Sequence, residues 1–258
     1  MVQMIENEKN IDIILGRNAV FEALKAGRSI NRLLIAEGSK EGSIQKLITL
    51  AKNNQVVIEY VQRDRLDKIA GGQHHQGVIV YSTPVNYSNL DEILQTASAR
   101  HEFPFILLLD ELEDPHNFGA ILRTADAVGV HGVLIPKRRS VSLNSTVAKT
   151  SAGAIEYVKV AQINNVAQTL KQLKDFGFTV IGSDVVGIDI FDKVNHIDFN
   201  NPIVLIIGSE GKGMRRLTKE NCDFLVKIPM FGKINSLNAS VAAAILMYEV
   251  LRQRKNLN

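Results

Sequence analysis

From Phe105 onward, short β-branched and large apolar runs alternate with stretches of helical period, and this restricts the chain to folds built on a buried, mostly parallel sheet. Strands are expected at FILLLD (105–110), HGVLIP (131–136), EYVKV (156–160), FTVIGSD (178–184), PIVLIIG (202–208) and DFLVKIP (223–229). Helices are expected over NFGAILRTADAVG (117–129), VAQTLKQLKDFG (166–177) and 237–254. In the last of these, Val241, Ile245 and Tyr248 recur at i, i+4 and i+7, which predicts a core-facing stripe, with Asn238 or Ser236 as its N-cap. Residues 11–82 read as a smaller α/β unit. Its two periods are told apart by Leu47, Leu50 and Ala51 at helical spacing and by the β-branched run Val56, Val57, Ile58. The polar, proline-flanked stretch between the units is expected to be a linker, giving domains at 1–84 and 104–258 joined by 85–103.

Composition closes off several function classes. A single cysteine, Cys222, permits neither an internal disulfide nor a cysteine-rich zinc cluster, and a reducing cytoplasm fits best. Acidic residues sit in the first ten positions where a secretory signal needs an apolar core, and no run approaches the roughly 20 apolar residues of a membrane span. The six histidines lack ligand-like spacing, so no metal site is expected; adjacent His74 and His75 point to opposite faces if the backbone is extended.

With 30 basic and 27 acidic side chains the net charge is only +3, so an anionic partner has to be met locally. Two basic groups offer this: Arg17, Lys25, Arg28 and Arg32 near the start, and Lys137, Arg138, Arg139 and Lys149. Either is a solvated surface or a phosphate contact. Between them lies an acidic cluster, Asp110, Glu111, Glu113 and Asp114, which repels nucleic acid unless it faces elsewhere.

Three segments carry the polar residues that chemistry needs. IIGSEGKGM (206–214) follows a strand; it lacks G-x-G-x-x-G, the G-x-S-x-G elbow and the lysine of a P-loop, which argues against dinucleotide, esterase and nucleotide-hydrolase readings. Gly208, Gly211 and Gly213 there serve either a tight turn or close approach of a ligand, and Glu210 sits where α/β proteins place polar function. In HNFGAILRTADAVG, Asn117 is a candidate helix cap. Arg123 projects from a face other than that of Ile121, Ala125 and Val128, near the helix N-terminus and against the dipole. It is either ion-paired at the surface or poised for a phosphate or developing oxyanion. In IPMFGKINSLNASVAAA (228–244), Ser236 and Asn238 read as caps.

Together and in this order, N-F-G-A-I-L-R-T, I-I-G-S-E-G-K-G-M and I-P-M-F-G-K-I-N-S-L-N-A-S-V-A resemble the three motifs of the SpoU (TrmH-like) RNA ribose 2'-O-methyltransferases of the SPOUT superfamily. The N-terminal G-R-N-A-V-F-E-A-L and G-G-Q-H-H-Q-G-V are similar to the accessory RNA-binding domain of the type that modifies guanosine in bacterial 23S ribosomal RNA, the RlmB type. The resemblance implies a C-terminal α/β domain closed by a deep trefoil knot, usually in a homodimer, and a ribosomal-protein-like N-terminal domain. Topology rules alone favour an open Rossmann-like sheet. It further implies S-adenosylmethionine held by Gly208, Ile228, Gly232, Ser236 and Leu237, with Gly208 and Gly232 as close-approach positions, and catalysis by Asn117, Arg123, Glu210, Ser236 and Asn238. RNA is expected at Arg17, Lys25, Arg28, Arg32, Arg138 and Lys149. An arginine is effectively always protonated. Arg123 is therefore expected to bind phosphate and stabilise alkoxide, not to remove a proton, while Glu210 orients Arg123 or the ribose. Transfer RNA is the alternative substrate, and a non-catalytic ribosome-assembly protein the alternative class.

Overall fold

The computed structural model describes residues 12–39, 42–192, 197–234 and 236–255. The acidic first ten residues therefore lie outside the described residues. In chain order the strands and helices are β1 (Asp12–Leu15), α1 (Arg17–Lys25), β2 (Ile30–Ala36), α2 (Gly42–Asn53), β3 (Ile58–Val61), α3 (Arg63–Ala70), β4 (Val78–Ser82), α4 (Leu90–Ala99), β5 (Phe105–Asp110), α5 (Pro115–Ala127) and β6 (Gly132–Pro136). There follow α6 (Ser145–Thr150), β7 (Val160–Ile163), α7 (Val166–Asp175), β8 (Thr179–Asp189), β9 (Ile203–Gly208), α8 (Arg216–Glu220), β10 (Phe224–Lys227) and α9 (Ala239–Lys255).

These elements form two units, one of residues 1–86 with 143–157, the other of 87–142 with 158–258. In the first, a mixed four-stranded sheet runs in the order β1-β4-β2-β3. Ile44, Leu47, Ile48 and Ala51 of α2 and Ala19, Val20 and Ala23 of α1 pack on its apolar face. The returning segment 143–157 supplies Glu156 to this unit. Its carboxylate and that of Asp12 both accept from the Arg28 guanidinium at 2.8 Å, and the carbonyl of Thr83 accepts from it too. With only 5% of its side chain exposed, Arg28 holds a structural ion cluster and is not the RNA contact expected of it. Burial pushes the Glu156 carboxyl upward, and Arg28 opposes that shift. Arg28→Ala is expected to cost about 3–5 kcal/mol, because it strands two carboxylates without their cation. Urea unfolding should show this loss at neutral pH and a smaller one as the pH drops into the carboxylate range, where Glu156 takes a proton. An equal loss at both pH values would remove the charge explanation.

The second unit is a six-stranded parallel sheet in the order β10-β8-β9-β5-β6-β7. Its central strands β5 and β9 are buried on both faces, which is why FILLLD and IVLII read as unbroken apolar runs. The stretch expected to be a linker contains α4, capped by Asn89, and Ile93 of that helix is fully buried in the core of this unit. The strand expected at 156–160 lies at 160–163, preceded by a 3-10 turn over Ala154–Glu156. The last helix also differs from expectation. Ala243, Leu246, Met247 and Val250 face inward, whereas Val241 and Tyr248 are 46% and 52% exposed. Cys222 is packed against the core, and burial pushes its thiol up to about 12, so it is no nucleophile at neutral pH. Among the described residues no helix is long and apolar enough to cross a membrane.

Candidate active site

β5 and β9 are paired along their whole length, with Asp110 opposite Gly208, so the loops leaving their carboxyl ends emerge side by side. Chain order reverses here, since β6 continues on one side of β5 and β9 lies on the other. Open parallel sheets hold ligands at such an edge.

The loop after β9 doubles back at once. Ser209 and Gly213 exchange backbone hydrogen bonds of 3.2 and 2.9 Å, with Gly211 and Gly213 at φ +78° and +67°. The reversal presses on its own strand: a Cβ on Gly208 would lie 2.3 Å from the carbonyl carbon of Gly213 and 2.4 Å from the nitrogen of Met214. Gly208 is thus a close-approach position, but what approaches is the chain's own backbone. Gly232 is different, because a Cβ there would meet nothing within 4 Å.

The turn presents Glu210 to the two other motifs. Asn117 is not the cap of α5, as the sequence suggested. Asp114 is, accepting from the backbone nitrogens of His116 at 3.0 Å and Asn117 at 3.3 Å. The buried Asn117 side chain is left to face inward, where its Nδ2 donates to Glu210 Oε1 at 3.0 Å and its Oδ1 accepts from Asn238 Nδ2 at 3.0 Å. Asn238 Nδ2 also donates to Glu210 Oε1, as does the backbone nitrogen of Ala239 at 3.3 Å. Asn238 Oδ1 meanwhile caps α9, accepting from the nitrogens of Ser240 and Val241 at 3.0 and 3.3 Å. One carboxylate oxygen therefore ties three distant segments together, and Glu210 Oε2 takes no hydrogen bond from any described residue.

Arg123 does not join this network. Because α5 begins at Pro115, Arg123 sits in its C-terminal half, where the helix dipole does not oppose a cation. Six residues beyond Asn117, it lies about 9 Å farther along the axis. It is exposed, with neither hydrogen bond nor ion pair to a described residue, so the expected Glu210–Arg123 pairing is not made within the chain.

Beside Glu210 opens a pocket of about 350 Å3 whose lining includes Gly208, Ile228, Met230, Ser236 and Leu237. Four of the five positions expected to hold the cofactor are there; Gly232 is not. Asp184 and Lys219, which sequence reasoning missed, form an ion pair on its wall. Burial pushes the Asp184 carboxyl up, but hydrogen bonds from Lys219 and the Val186 nitrogen outweigh this and hold it below the usual carboxylate range. The one available signal was that Asp184 ends the expected strand FTVIGSD. Ser236 lines the pocket without capping the helix.

The acidic cluster is largely satisfied internally. Buried Asp110 accepts from Arg215 Nη2 at 2.6 Å and from its Nε at 2.8 Å, Glu111 from Arg139 at 3.3 Å, and Asp114 caps α5. Arg138 lies exposed on a groove shared with Lys137, Arg139, Arg215 and Arg216. In the first unit Lys25 lies 3.9 Å from Glu22, and Arg32 pairs with Glu59 while its guanidinium covers the Tyr81 ring. Lys149, on α6, belongs to the first unit, and Arg17 is anchored to Gln76 and Ser43. No group of three or more potential metal ligands occurs among the described residues.

Residues 104–248 match the model of the SpoU rRNA Methylase family, and residues 13–88 match that of the RNA 2'-O ribose methyltransferase substrate binding domain. The chain belongs to the SpoU rRNA methylase family. It is 52% identical over 243 residues to YacO of Bacillus subtilis, a protein assigned to the TrmH family of tRNA/rRNA methyltransferases, covering 94% of this chain and 96% of that one. A Staphylococcus aureus protein of the same assignment is 46% identical over 242 residues, with the same two coverages. Among solved structures, an RNA 2'-O ribose methyltransferase superposes with a TM-score of 0.79 at 26% identity, over 96% of this chain and 91% of the other. The fold is also that of the SpoU methyltransferase AviRb from Streptomyces viridochromogenes, solved with AdoMet, at a TM-score of 0.80 and 23% identity over 96% of this chain and 92% of that one. All three sequence motifs of this SpoU methyltransferase fall inside the matched segment, and Asn117, Glu210 and Asn238 are the points at which they touch.

Proposed function

We propose that this SpoU family enzyme methylates the ribose 2'-hydroxyl of a guanosine in 23S ribosomal RNA, with S-adenosylmethionine as donor. The observation that carries the reading is the junction of Asn117, Glu210 and Asn238 at the rim of the Gly208–Leu237 pocket. The pocket fits the donor: its volume is that of a small-ligand site, and Ile228, Met230 and Leu237 offer apolar contact beside backbone groups of the 208–213 turn. When bound, the donor supplies an electrophilic methyl group on a sulfonium.

The chain's own residues supply placement and charge. Glu210, fixed through Oε1, offers Oε2 as acceptor for a ribose hydroxyl proton, and Ser236 borders the same space. Because Oε1 is saturated by three N–H groups, the carboxylate cannot swing away, and in-line methyl transfer depends on such fixation. Arg123, which no described residue engages, grips an RNA phosphate and stabilises developing negative charge on the oxygen. A homodimer and a knotted passage of the C-terminal segment belong to the same reading. Exposed Val241 and Tyr248 on α9 support the dimer, since they leave apolar surface that a second copy would cover.

Arg123→Lys is expected to lose most transferase activity while keeping cofactor affinity, because a point charge does not reproduce the planar guanidinium fork. Calorimetry with S-adenosylmethionine beside methyl transfer to ribosomal RNA checks both halves; full activity in the variant would remove Arg123 from the reaction. The substrate is tested by nucleoside mass spectrometry on ribosomal and transfer RNA from a strain lacking the gene. Loss of a 2'-O-methylguanosine from 23S RNA supports the reading, whereas loss from transfer RNA alone overturns the ribosomal assignment and leaves the chemistry standing.

A further inference from the structure

The pocket beside Glu210 holds two charged side chains that methyl transfer, as derived above, leaves without a task. β8 pairs with β9 as far as Gly182 opposite Ile206 and then parts from it. The pocket opens where they separate, bordered by Ser183 and Asp184 from β8 and by Ile207 and Gly208 from β9. Against β10, residues 183–187 bulge out between the paired positions Gly182 and Ile188. The bulge is held in place from both sides. Asp184 Oδ1 accepts the Val186 backbone N–H at 3.1 Å, and Gly187 lies so close to β10 that a Cβ there would meet the Leu225 carbonyl oxygen at 2.5 Å. Asp184 Oδ2 is left to take the Lys219 ammonium as an ion pair.

Lys219 reaches the pocket from α8, a helix pinned at its start by the Arg215 backbone N–H, which donates to buried Asp110 at 2.9 Å. The Lys219 side chain is 38% exposed and that of Asp184 only 8%, so the lysine is the partner that faces open space. An ammonium carries three N–H donors, and Asp184 occupies one of them. The others meet no acceptor among the described residues. Glu210 and Lys212, the other charged residues of the lining, also border a second cleft of about 230 Å3 that includes Asn117. Asp184 and Lys219 do not border that cleft, so they serve the occupant of the first pocket and not an incoming ribose.

We infer that Lys219, aimed by Asp184, binds the carboxylate of the donor's amino-acid arm. S-adenosylmethionine joins an adenosine, which Ile228, Met230 and Leu237 suit, to a zwitterionic α-amino acid that an apolar wall would leave unpaired. A carboxylate takes charge-assisted hydrogen bonds from an ammonium, and one already oriented by a partner forms them at lower entropic cost. The charges also balance, because the ion pair and the arm are each neutral overall. Lys219 is thus the contacting residue and Asp184 a positioning residue. The inference rests on the reading of this pocket as the donor site. Since the arm is the same in the donor and in its demethylated product, the contact is uniform binding, which sets affinity without lowering the barrier to methyl transfer.

The test uses the full chain and calorimetry with two thioether probes: S-adenosylhomocysteine, which has the arm, and 5'-methylthioadenosine, which lacks it. Lys219→Met should weaken S-adenosylhomocysteine binding at least about tenfold and leave that of 5'-methylthioadenosine unchanged, which also shows the variant to be folded. Asp184→Asn should weaken S-adenosylhomocysteine binding about threefold with Lys219 present and not at all in the Lys219→Met background, because its effect passes through the lysine. In methyl transfer Lys219→Met should raise KM for S-adenosylmethionine and the inhibition constant of S-adenosylhomocysteine by the same factor, with kcat kept. An equal loss for both probes in Lys219→Met overturns the inference, as does a wild-type protein that binds both probes equally well. So does an arm-dependent loss in Lys212→Met in place of Lys219→Met. An Asp184→Asn effect that persists without Lys219 removes the positioning role. If Gly208→Ala abolishes S-adenosylhomocysteine binding while Lys219→Met binds it normally, the pocket stands and the inference falls. If Gly208→Ala binds it normally, the donor-site reading falls instead.

Discussion

Gly208→Ala is expected to abolish measurable S-adenosylmethionine binding while the protein remains folded. The added methyl would sit 2.3–2.4 Å from backbone atoms of Gly213 and Met214, where contact normally begins near 3.4 Å, and backbone in a hydrogen-bonded reversal cannot rotate aside as a side chain does. Something has to move, and the Ser209–Gly213 turn is the only partner free to do so, because β9 is locked in the sheet centre between β5 and β8. Glu210 lies inside that turn, so displacing it detaches Oε1 from Asn117 and Asn238 and reshapes the wall of the pocket at the same time. A displacement of about 1 Å at such a place costs on the order of a hundredfold in rate. Gly232→Ala is the control, since its methyl meets nothing within 4 Å. Calorimetry and thermal unfolding of both variants check the expectation. Normal cofactor affinity in Gly208→Ala would show that the turn tolerates displacement and that the pocket is not where the donor sits.

The parts of this fold that were legible in the sequence are those in which burial leaves a periodic mark. β5 and β9 are covered on both faces, so FILLLD and IVLII announce themselves, and α5 and α7 carry their stripes plainly. The misses have equally physical causes. In RDRLDKIA only Leu66 and Ala70 are buried, too few to mark α3. In α9 the run ASVAAAILMYEV is apolar nearly all round, so no pattern in it chooses between the face of Val241 and Tyr248 and the inward face of Leu246 and Met247. Arg28 reads as one more cation in a basic stretch because its partner Glu156 is 128 residues away. The candidate site was legible as three ordered motifs, but not as a junction: the Asn117–Glu210 and Asn117–Asn238 bonds span 93 and 121 residues, and sequence spacing holds no information about which side chains meet. Reading Asn117 as a cap was a local choice that lost to Asp114, which has the same capping chemistry three residues earlier.

Asn238→Asp should separate the two tasks of that residue and eliminate most activity without unfolding α9. Through Oδ1, Asn238 caps the last helix, and aspartate caps at least as well, with the added attraction of a negative charge for a helix N-terminus. Through Nδ2 it donates to Glu210 Oε1 and Asn117 Oδ1, and there aspartate offers no donor. The substitution sets two carboxylates against each other within hydrogen-bond distance, so Glu210 is driven out of its fixed position or the pair has to share a proton. Transfer at neutral pH is expected to fall at least a hundredfold, on the order of what losing a positioned polar group at the reacting atoms costs. Thermal stability should stay within about 1 kcal/mol of wild type. The direction of the pH response identifies the cause. Mutual repulsion makes the pair's second proton harder to lose, so lowering the pH restores an O–H donor between residues 238 and 210, and the variant should regain activity relative to wild type as the solution is acidified. Asn238→Ala has no proton to regain; it should lose both cap and donor, cost about 1 kcal/mol of stability and show no such recovery. If Asn238→Asp instead transfers methyl groups at the wild-type rate across this range, the carboxylate of Glu210 does not need its amide partner, and the three-segment junction is a structural tie without a part in catalysis.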